Sequence, residues 1–269
     1  MTTGSTAGEA FYFGAPDSPL FGYYHAPAAG PRALGLVLCH PMGHEYVRAH
    51  RAMGQLAIRL ARAGFPALRF DYTGCGDSAG SDELGDIHRW QADITAAIDA
   101  LRKHSGARSI GLIGLRLGAA LAATVAAQRA DIATVVLWEP IVEGQAYLHE
   151  LRELHQDKLW HFLGKAQQAA PRDHPTELMG FPLPATLCSQ IEAMDLLALV
   201  QKPLGHVFIV QREEQPSVAR FSEHLTQLGA RVQLQQMDSP MIWTEDPDKG
   251  LVPHHTLQAI IKWLSEVST

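Results

Sequence analysis

The sequence has few cysteines, no long apolar run and no cluster of basic residues. Its three cysteines, Cys39, Cys75 and Cys188, have a spacing that fits neither a disulfide framework nor a metal-binding motif. No apolar stretch approaches the roughly 20 residues that cross a membrane, and the opening MTTGSTAGEAFYF lacks the basic and apolar regions of a signal peptide. We therefore expect a cytoplasmic protein with reduced thiols and no membrane span.

The charge balance is unlike that of a nucleic-acid-binding protein. Acidic residues outnumber basic ones by 28 to 22, for a formal net charge of −6, and lysine and arginine form no run. This excludes a nucleic-acid surface and leaves a small molecule as the expected partner. What the chain does contain is a hydrophobic fraction of 46% over 269 residues. That composition and length suit one large α/β domain, or one such domain with a small lid.

Apolar runs of strand length alternate with segments of helical periodicity over most of the chain. The pattern predicts an opening hairpin and six further strands, at residues 11–13, 20–24, 34–39, 66–70, 110–113, 133–138, 204–210 and 231–237. Apolar residues at helical spacing follow most of these strands, as from Ile87 to Leu101. Such alternation predicts an α/β fold with a mostly parallel, doubly wound sheet.

The alternation breaks between residues 144 and 202. Helical segments are expected there at residues 148–167 and 189–200, with a proline-rich connector between them. Because this insertion precedes the last two strands, we predict that it forms a helical cap over the carboxyl edge of the sheet. The predicted division is a core of residues 1–143 and 203–269 and a cap of residues 144–202.

The chain is organised around the segment at residues 109–128, SIGLIGLRLGAALAATVAAQ. A short apolar strand leads into the turn Gly114-Leu115-Arg116-Leu117-Gly118, and an alanine-rich helix follows. Two glycines around a central residue, between a strand and a helix, are typical of a nucleophile elbow, which holds its middle residue out over the strand ends. That residue is Arg116, and an arginine, which stays protonated in proteins, cannot be a nucleophile.

Several motifs in the same order make the chain resemble the α/β-hydrolase superfamily over nearly its whole length. They are CHPMGHE, RFDYTGCGDSAG and GLRLG, each after a predicted strand, and a cap before the last two strands. More narrowly, GLRLGAALAA and VVLWEPIVEGQAYL are similar to the hydrolases encoded beside exosortase A and to stand-alone α/β hydrolases of peptide and polyketide biosynthetic clusters. The resemblance implies an α/β-hydrolase fold and a biosynthetic small-molecule substrate, free or attached to a carrier protein.

The resemblance also implies where a Ser-His-Asp triad would stand. The serine belongs at the elbow, the acid after the strand that follows the cap, and the histidine after the last strand. Here the elbow holds Arg116, the acid's place is taken by Gln215 with Glu213 and Glu214 before it, and the last strand is followed by no histidine before His254. We therefore expect that the triad is absent, the alternative being an ordinary serine hydrolase with an unrecognised nucleophile.

Polar residues nevertheless follow several predicted strands, whose carboxyl ends meet at one crevice of an open α/β sheet. We predict that His40 or His44 is an acid/base group and that Arg116 and Glu45 are the other catalytic candidates. The guanidinium would bind a carboxylate or phosphate. Alternatively, it would form a structural ion pair with an acidic neighbour. The predicted substrate-binding residues, which include the two expected acidic neighbours of Arg116, are Asp71, Leu115, Leu117, Glu139, Trp243 and His254.

Three functions remain open at this point. The first is an enzyme that acts on an acyl, ester, thioester-like or carboxylate-bearing molecule with acid/base groups, by acyl transfer, cyclisation or hydrolysis. The second is a catalytically inactive binding or scaffold protein, and the third is the ordinary serine hydrolase. No cofactor and no metal are predicted, because the spacing of His40, His44 and Glu45 matches no helix-borne zinc motif. A homodimer is considered as the assembly.

Overall fold

The computed structural model describes residues 8–28, 30–163, 176–199, 205–244 and 251–268. In this part of the chain the strands are β1 (Gly8–Ala15), β2 (Ser18–His25), β3 (Leu34–Cys39), β4 (Ala67–Phe70), β5 (Ser109–Leu115), β6 (Ile132–Trp138), β7 (Glu177–Leu178), β8 (Phe181–Pro182), β9 (His206–Gln211) and β10 (Arg231–Gln236). The helices are α1 (Gly43–Arg62), α2 (Ile87–Ser105), α3 (Leu117–Gln128), α4 (Gly144–Leu163), α5 (Ala185–Glu192), α6 (Pro216–Gln227) and α7 (His254–Val267). None of these helices is both long and apolar enough to cross a bilayer.

Eight of the strands form one sheet in the order β1-β2-β4-β3-β5-β6-β9-β10. The strands from β4 to β10 in this order run parallel, whereas β2 pairs antiparallel with both β1 and β4. This confirms the predicted α/β fold with a mostly parallel sheet. The predicted opening hairpin is the β1–β2 pair, joined at Ala15 and Ser18.

The two faces of the sheet are covered by different helices. Because successive strand residues point to opposite sides, each central strand contributes side chains to both of the resulting cores. All six residues of β3 are buried. On one face, Val37 belongs to a core that includes apolar residues of α2 and α3. On the other face, Leu36 and Leu38 belong to a core that includes Met53 of α1 and Ile260 of α7. A strand buried on both sides appears in the sequence as a continuous apolar run, which is why β3 could be predicted.

The segment between β6 and β9 differs most from its prediction. The second predicted helix, at residues 189–200, begins earlier, at Ala185, and ends at Glu192, after which residues 196–198 form a 3₁₀ turn. The connector before it contains the small hairpin β7–β8, which was not predicted. Met179 and Gly180 both have positive φ, and this closes the hairpin turn. Residues 164–175 and 200–204 lie outside the described residues, and the division into core and cap stays a prediction.

Candidate active site

The turn after β5 has the geometry of a nucleophile elbow. Arg116, between β5 and α3, has φ 55° and ψ −121°, a backbone conformation that residues other than glycine rarely adopt. Two glycines make this turn possible because any side chain would collide with backbone. A Cβ at Gly118 would clash with the carbonyl oxygens of Cys39 and His40, and one at Gly114 would clash with the backbone of α3.

The side chain of Arg116 is held by two carboxylates and two aromatic rings. Its Nε donates a hydrogen bond of 2.9 Å to Glu45 Oε1, and its Nη2 donates one of 2.7 Å to Glu150 Oε1. The Tyr147 hydroxyl donates to the other oxygen of Glu45 at 2.9 Å. The guanidinium carbon lies 5.3 Å from the ring centres of both Tyr147 and Trp243. We call these five residues the Arg116 cluster.

The members of the Arg116 cluster differ in burial. Arg116 is 5% exposed and Glu45 1%, whereas the Glu150 side chain is 49% exposed. Burial alone would lower the pKa of Arg116, but the carboxylates of Glu45 and Glu150 raise it above its usual value. Burial raises the pKa of Glu45, and Arg116 opposes that change. Because a guanidinium does not lose its proton in a protein, we take the Arg116–Glu45 contact as a buried ion pair.

The identity of these partners corrects the sequence analysis. Arg116 is buried and forms ion pairs, which agrees with the alternative prediction of a structural ion pair. Its partners, however, are Glu45 and Glu150 rather than Glu139 or Asp71. Glu45 was predicted as a catalytic group, but both of its carboxylate oxygens accept hydrogen bonds within the cluster. Glu150 was not predicted. It lies three residues after Tyr147 and therefore on the same face of α4, but only the packing of α4 over the elbow brings that face to Arg116.

Glu139 follows β6 and forms a second buried polar site. Its φ is 48°, so it too has the left-handed backbone that is uncommon outside glycine. Its Oε1 accepts a short hydrogen bond from the Arg212 backbone N–H, and Gln215 Nε2 lies 3.5 Å from its Oε2. Burial raises the pKa of Glu139 to about 7, against the opposing effect of the Arg212 N–H. Gln215, at the place expected for a triad acid, is thus a neighbour of a buried carboxyl group.

His40 lies at the end of β3 and is buried. Its ring packs 5.3 Å from the Tyr46 ring and 6.2 Å from the His50 ring, measured between centres. Its Nδ1 has no hydrogen-bond partner among the described residues. Burial, with smaller effects from Arg69 and His50, lowers the pKa of His40 well below its usual value. The imidazole is therefore neutral near pH 7.

His44 lies in the first turn of α1 and lines a cavity. Its Nε2 is buried and, within the described ranges, has no hydrogen-bond partner. Burial, followed by the positive charges of Arg48, Arg116 and Lys158, lowers the pKa of His44 to about 4. The ring is therefore neutral near pH 7, and its lowered pKa makes it a weak base, although a neutral imidazole can still accept a hydrogen bond.

The cavity has a volume of about 270 Å³ and lies between the start of α1, the loop after β4 and the segment between β6 and β9. Its polar side chains include those of His44, Tyr46 and Tyr147. Tyr147 also belongs to the Arg116 cluster, so cavity and cluster share a wall. Apolar side chains that line the cavity include Val47, Trp90, Leu151, Leu178, Phe181 and Leu187. Such a mostly apolar space with a few polar groups suits a small organic ligand.

Asp71 supports the wall of this cavity. Its carboxylate accepts a hydrogen bond of 2.8 Å from the Tyr46 hydroxyl and one of 3.1 Å from the Asp77 backbone N–H. The first contact orients Tyr46, which lines the cavity, and the second fixes the glycine-rich loop after β4. The structure thus places Asp71 behind a cavity residue and not beside Arg116.

Three other predicted binding residues lie elsewhere. Leu115 and Leu117 flank Arg116 in the chain but are buried in the cores on opposite faces of the sheet. His254 begins α7 and contacts Arg59, near the end of α1. Arg59 follows Glu45 by roughly 21 Å along that helix, at about 1.5 Å per residue. The structure therefore brings Trp243, and not His254, to the elbow.

Comparison with known proteins identifies the fold and the family. The chain is similar to an esterase from Pyrococcus furiosus, with 18% identity, a TM-score of 0.67, and coverage of 98% of this chain and 92% of that one. It is also similar to Est1E from Butyrivibrio proteoclasticus with bound ferulic acid, with 18% identity, a TM-score of 0.67, and coverage of 96% of this chain and 98% of that one. A proline iminopeptidase from Mycobacterium smegmatis has 12% identity and a TM-score of 0.63, with coverage of 97% of this chain and 99% of that one. No curated protein matches the sequence. The profile of the family described as serine aminopeptidase, S33, matches residues 31–192, more than half of the chain, and the chain belongs to this hydrolase family.

Proposed function

We propose that this protein binds a small acyl, ester or thioester-like molecule in the cavity and acts on it without a covalent acyl-enzyme. The observation that carries the proposal is the elbow residue. Arg116 is a buried guanidinium held by Glu45 and Glu150, and it has no electron pair to attack a carbonyl group. The hydrolase family and the esterases of the same fold support an acyl or ester compound as the ligand.

The surroundings of the elbow support the absence of a working triad. A serine hydrolase needs a histidine beside its nucleophile to take the hydroxyl proton. Among the described residues of the loop after β10, Trp243 brings its ring to the elbow, and this ring has no basic nitrogen. Gln215 stands at the start of α6, where the acid is expected, and a neutral amide cannot stabilise an imidazolium as a carboxylate does.

His44 is the acid/base group of the proposed mechanism. The apolar cavity walls would hold the acyl part of the ligand and exclude bulk water, leaving the carbonyl group beside the neutral imidazole. His44 would then accept the proton of an attacking water or alcohol and return it to the leaving group. Tyr46, oriented by Asp71, supplies a second polar group at the cavity wall. A substrate on a carrier protein, a biosynthetic role and a homodimer are further parts of the proposal.

A second candidate function is binding without catalysis. It is favoured by the Arg116 cluster itself, in which the elbow side chain is already paired with two carboxylates and contacts two rings. Such a protein would keep the cavity and the fold to hold a ligand or a partner. The two candidates differ in one respect that can be measured, which is turnover that depends on His44.

The test measures ester turnover and protein mass together. With p-nitrophenyl butyrate, we expect steady release of nitrophenol without a burst, and an intact mass that does not increase by an acyl group. The His44→Asn variant should lose this turnover, whereas His88→Asn, at an exposed position on α2, should keep it. Binding without turnover would favour the second candidate. Stoichiometric labelling of one serine by a fluorophosphonate, together with a burst, would overturn the proposal in favour of an ordinary serine hydrolase.

A further inference from the structure

The two carboxylates on Arg116 are not equivalent. Glu45, on the Nε side, is 1% exposed and receives a second hydrogen bond from Tyr147. Glu150, on the Nη2 side, has a side chain that is 49% exposed. Glu45 cannot leave without stranding a buried charge, whereas Glu150 can return to water at a smaller cost, because its carboxylate is half-exposed and Arg116 keeps its pair with Glu45.

We infer that Glu150 occupies the site of a ligand carboxylate. A carboxylate-bearing ligand displaces the Glu150 side chain, binds Arg116 Nη2 in its place, and lays its apolar part in the cavity. The inference rests on the cavity being the binding site, as in the proposed function, and it narrows the ligand class to small carboxylic acids with an apolar tail.

The geometry connects the two halves of such a ligand. Tyr147 belongs to both the Arg116 cluster and the cavity wall, and Leu151, directly after Glu150 in α4, lines the same cavity. Residues three and four positions apart lie on one helix face, so α4 presents Glu150 and the cavity wall to the same region. Arg116 and Glu150 do not themselves line the cavity, so the apolar part of the ligand would reach it past Tyr147.

Charge explains why the ligand must replace Glu150 rather than join it. One guanidinium and two carboxylates give the cluster a net charge of −1. A third carboxylate would meet a net negative charge in a mostly buried site, and the guanidinium would then have to serve three anions. Exchange of one carboxylate for another keeps the charge unchanged. Glu45 and the two rings meanwhile hold the guanidinium in place, so little is lost in ordering it.

The experiment compares an acid with its ester. Binding of hexanoate and of methyl hexanoate is measured by calorimetry with the wild type, with Glu150→Gln and with Glu153→Gln. Glu153 is the matched control, since it lies on the same helix, is 68% exposed and pairs with His149 rather than Arg116. Glu150→Gln removes the competing charge, so it should bind hexanoate about tenfold more tightly than the wild type. The ester should bind all three proteins equally, and Glu153→Gln should match the wild type for both probes.

Two results would overturn the inference. The first is equal hexanoate affinity in the wild type and in Glu150→Gln while the ester still binds, which leaves the cavity as a binding site but removes the carboxylate site. The second is an equal gain for acid and ester in Glu150→Gln, which indicates an opened cavity and not a vacated anion site. If neither probe binds any of the three proteins, the cavity is not the acyl site and the proposed function fails as well.

Discussion

Two residues carry the unusual backbone of this site, and both follow parallel strands that are neighbours in the sheet. Arg116 after β5 and Glu139 after β6 have φ of 55° and 48°, and both side chains are buried. Backbone strain outside glycine is concentrated at functional sites, because the surrounding structure has to hold it in place. Both residues lie at the carboxyl edge of the sheet. Their unfavourable backbone conformations therefore point to this edge as the functional site.

Glu139 gives the protein a pH-dependent stability of predictable sign. Its pKa of about 7 in the folded protein lies above the usual 4.5, so between these values the folded state holds a proton that the unfolded chain has lost. The free energy of unfolding should therefore fall as the pH rises through this window, by at most about 3 kcal/mol. Glu139→Gln, which keeps an acceptor for the Arg212 N–H, should abolish that fall.

Urea unfolding at pH 5 and pH 8 measures the effect. The wild type should lose stability between pH 5 and pH 8, whereas Glu139→Gln should not. The free energy of unfolding of Glu139→Gln, relative to that of the wild type, should therefore be higher at pH 8 than at pH 5. Glu214→Gln, at an exposed position on the loop between β9 and α6 that also carries Arg212, is the control and should follow the wild type at both values. Equal pH dependence in the wild type and in Glu139→Gln would show that Glu139 is ionised in the folded protein throughout this range.

At the scale of elements, the turn between β5 and α3 depends on backbone packing that leaves no room for a methyl group. Gly118→Ala would place a Cβ against the carbonyl oxygens of Cys39 and His40, which belong to backbone and cannot rotate away. We expect a loss in the free energy of unfolding of about 1–3 kcal/mol. Thermal or urea unfolding measures it.

The matched control for this substitution is Gly54→Ala. Gly54 lies inside α1, and its added Cβ would meet Arg69 side-chain atoms no closer than 3.8 Å. Alanine favours a helix by up to about 1 kcal/mol relative to glycine, so this variant should be neutral or more stable. Similar losses in both variants would mean that the elbow has no special requirement for glycine.

The same elements show why the sequence predicts some features and not others. β3 and the elbow carry local signals, a continuous apolar run and a strand–glycine–helix pattern, and both were predicted. The hairpin β7–β8 has strands of only two residues, too short for a period-2 pattern, and its turn contains Met179 at positive φ. The partner of Arg116 depends on how α4 lies over the strand ends, and no local pattern encodes that placement.

At the scale of the whole molecule, the chain keeps the architecture of its hydrolase family and has a buried arginine at its elbow. The family profile and the eight-stranded sheet agree with the fold that the alternating strands and helices predict. Around the elbow, however, Arg116 is linked to Glu45 and Glu150 and covered by Trp243. The candidate histidines could be located from the sequence, but their burial and lowered pKa depend on packing from several elements.

The ester turnover of Arg116→Ser, measured together with its stability, tests this account most directly. The serine would lack a base, so p-nitrophenyl ester turnover should not rise above that of the wild type. Glu45 would lose its buried partner, so the free energy of unfolding should fall by about 3–5 kcal/mol, and the added change Glu45→Gln should recover part of that loss. A large gain in turnover, accompanied by an acyl adduct on residue 116, would contradict the account by showing that a working base and acid stand beside the elbow.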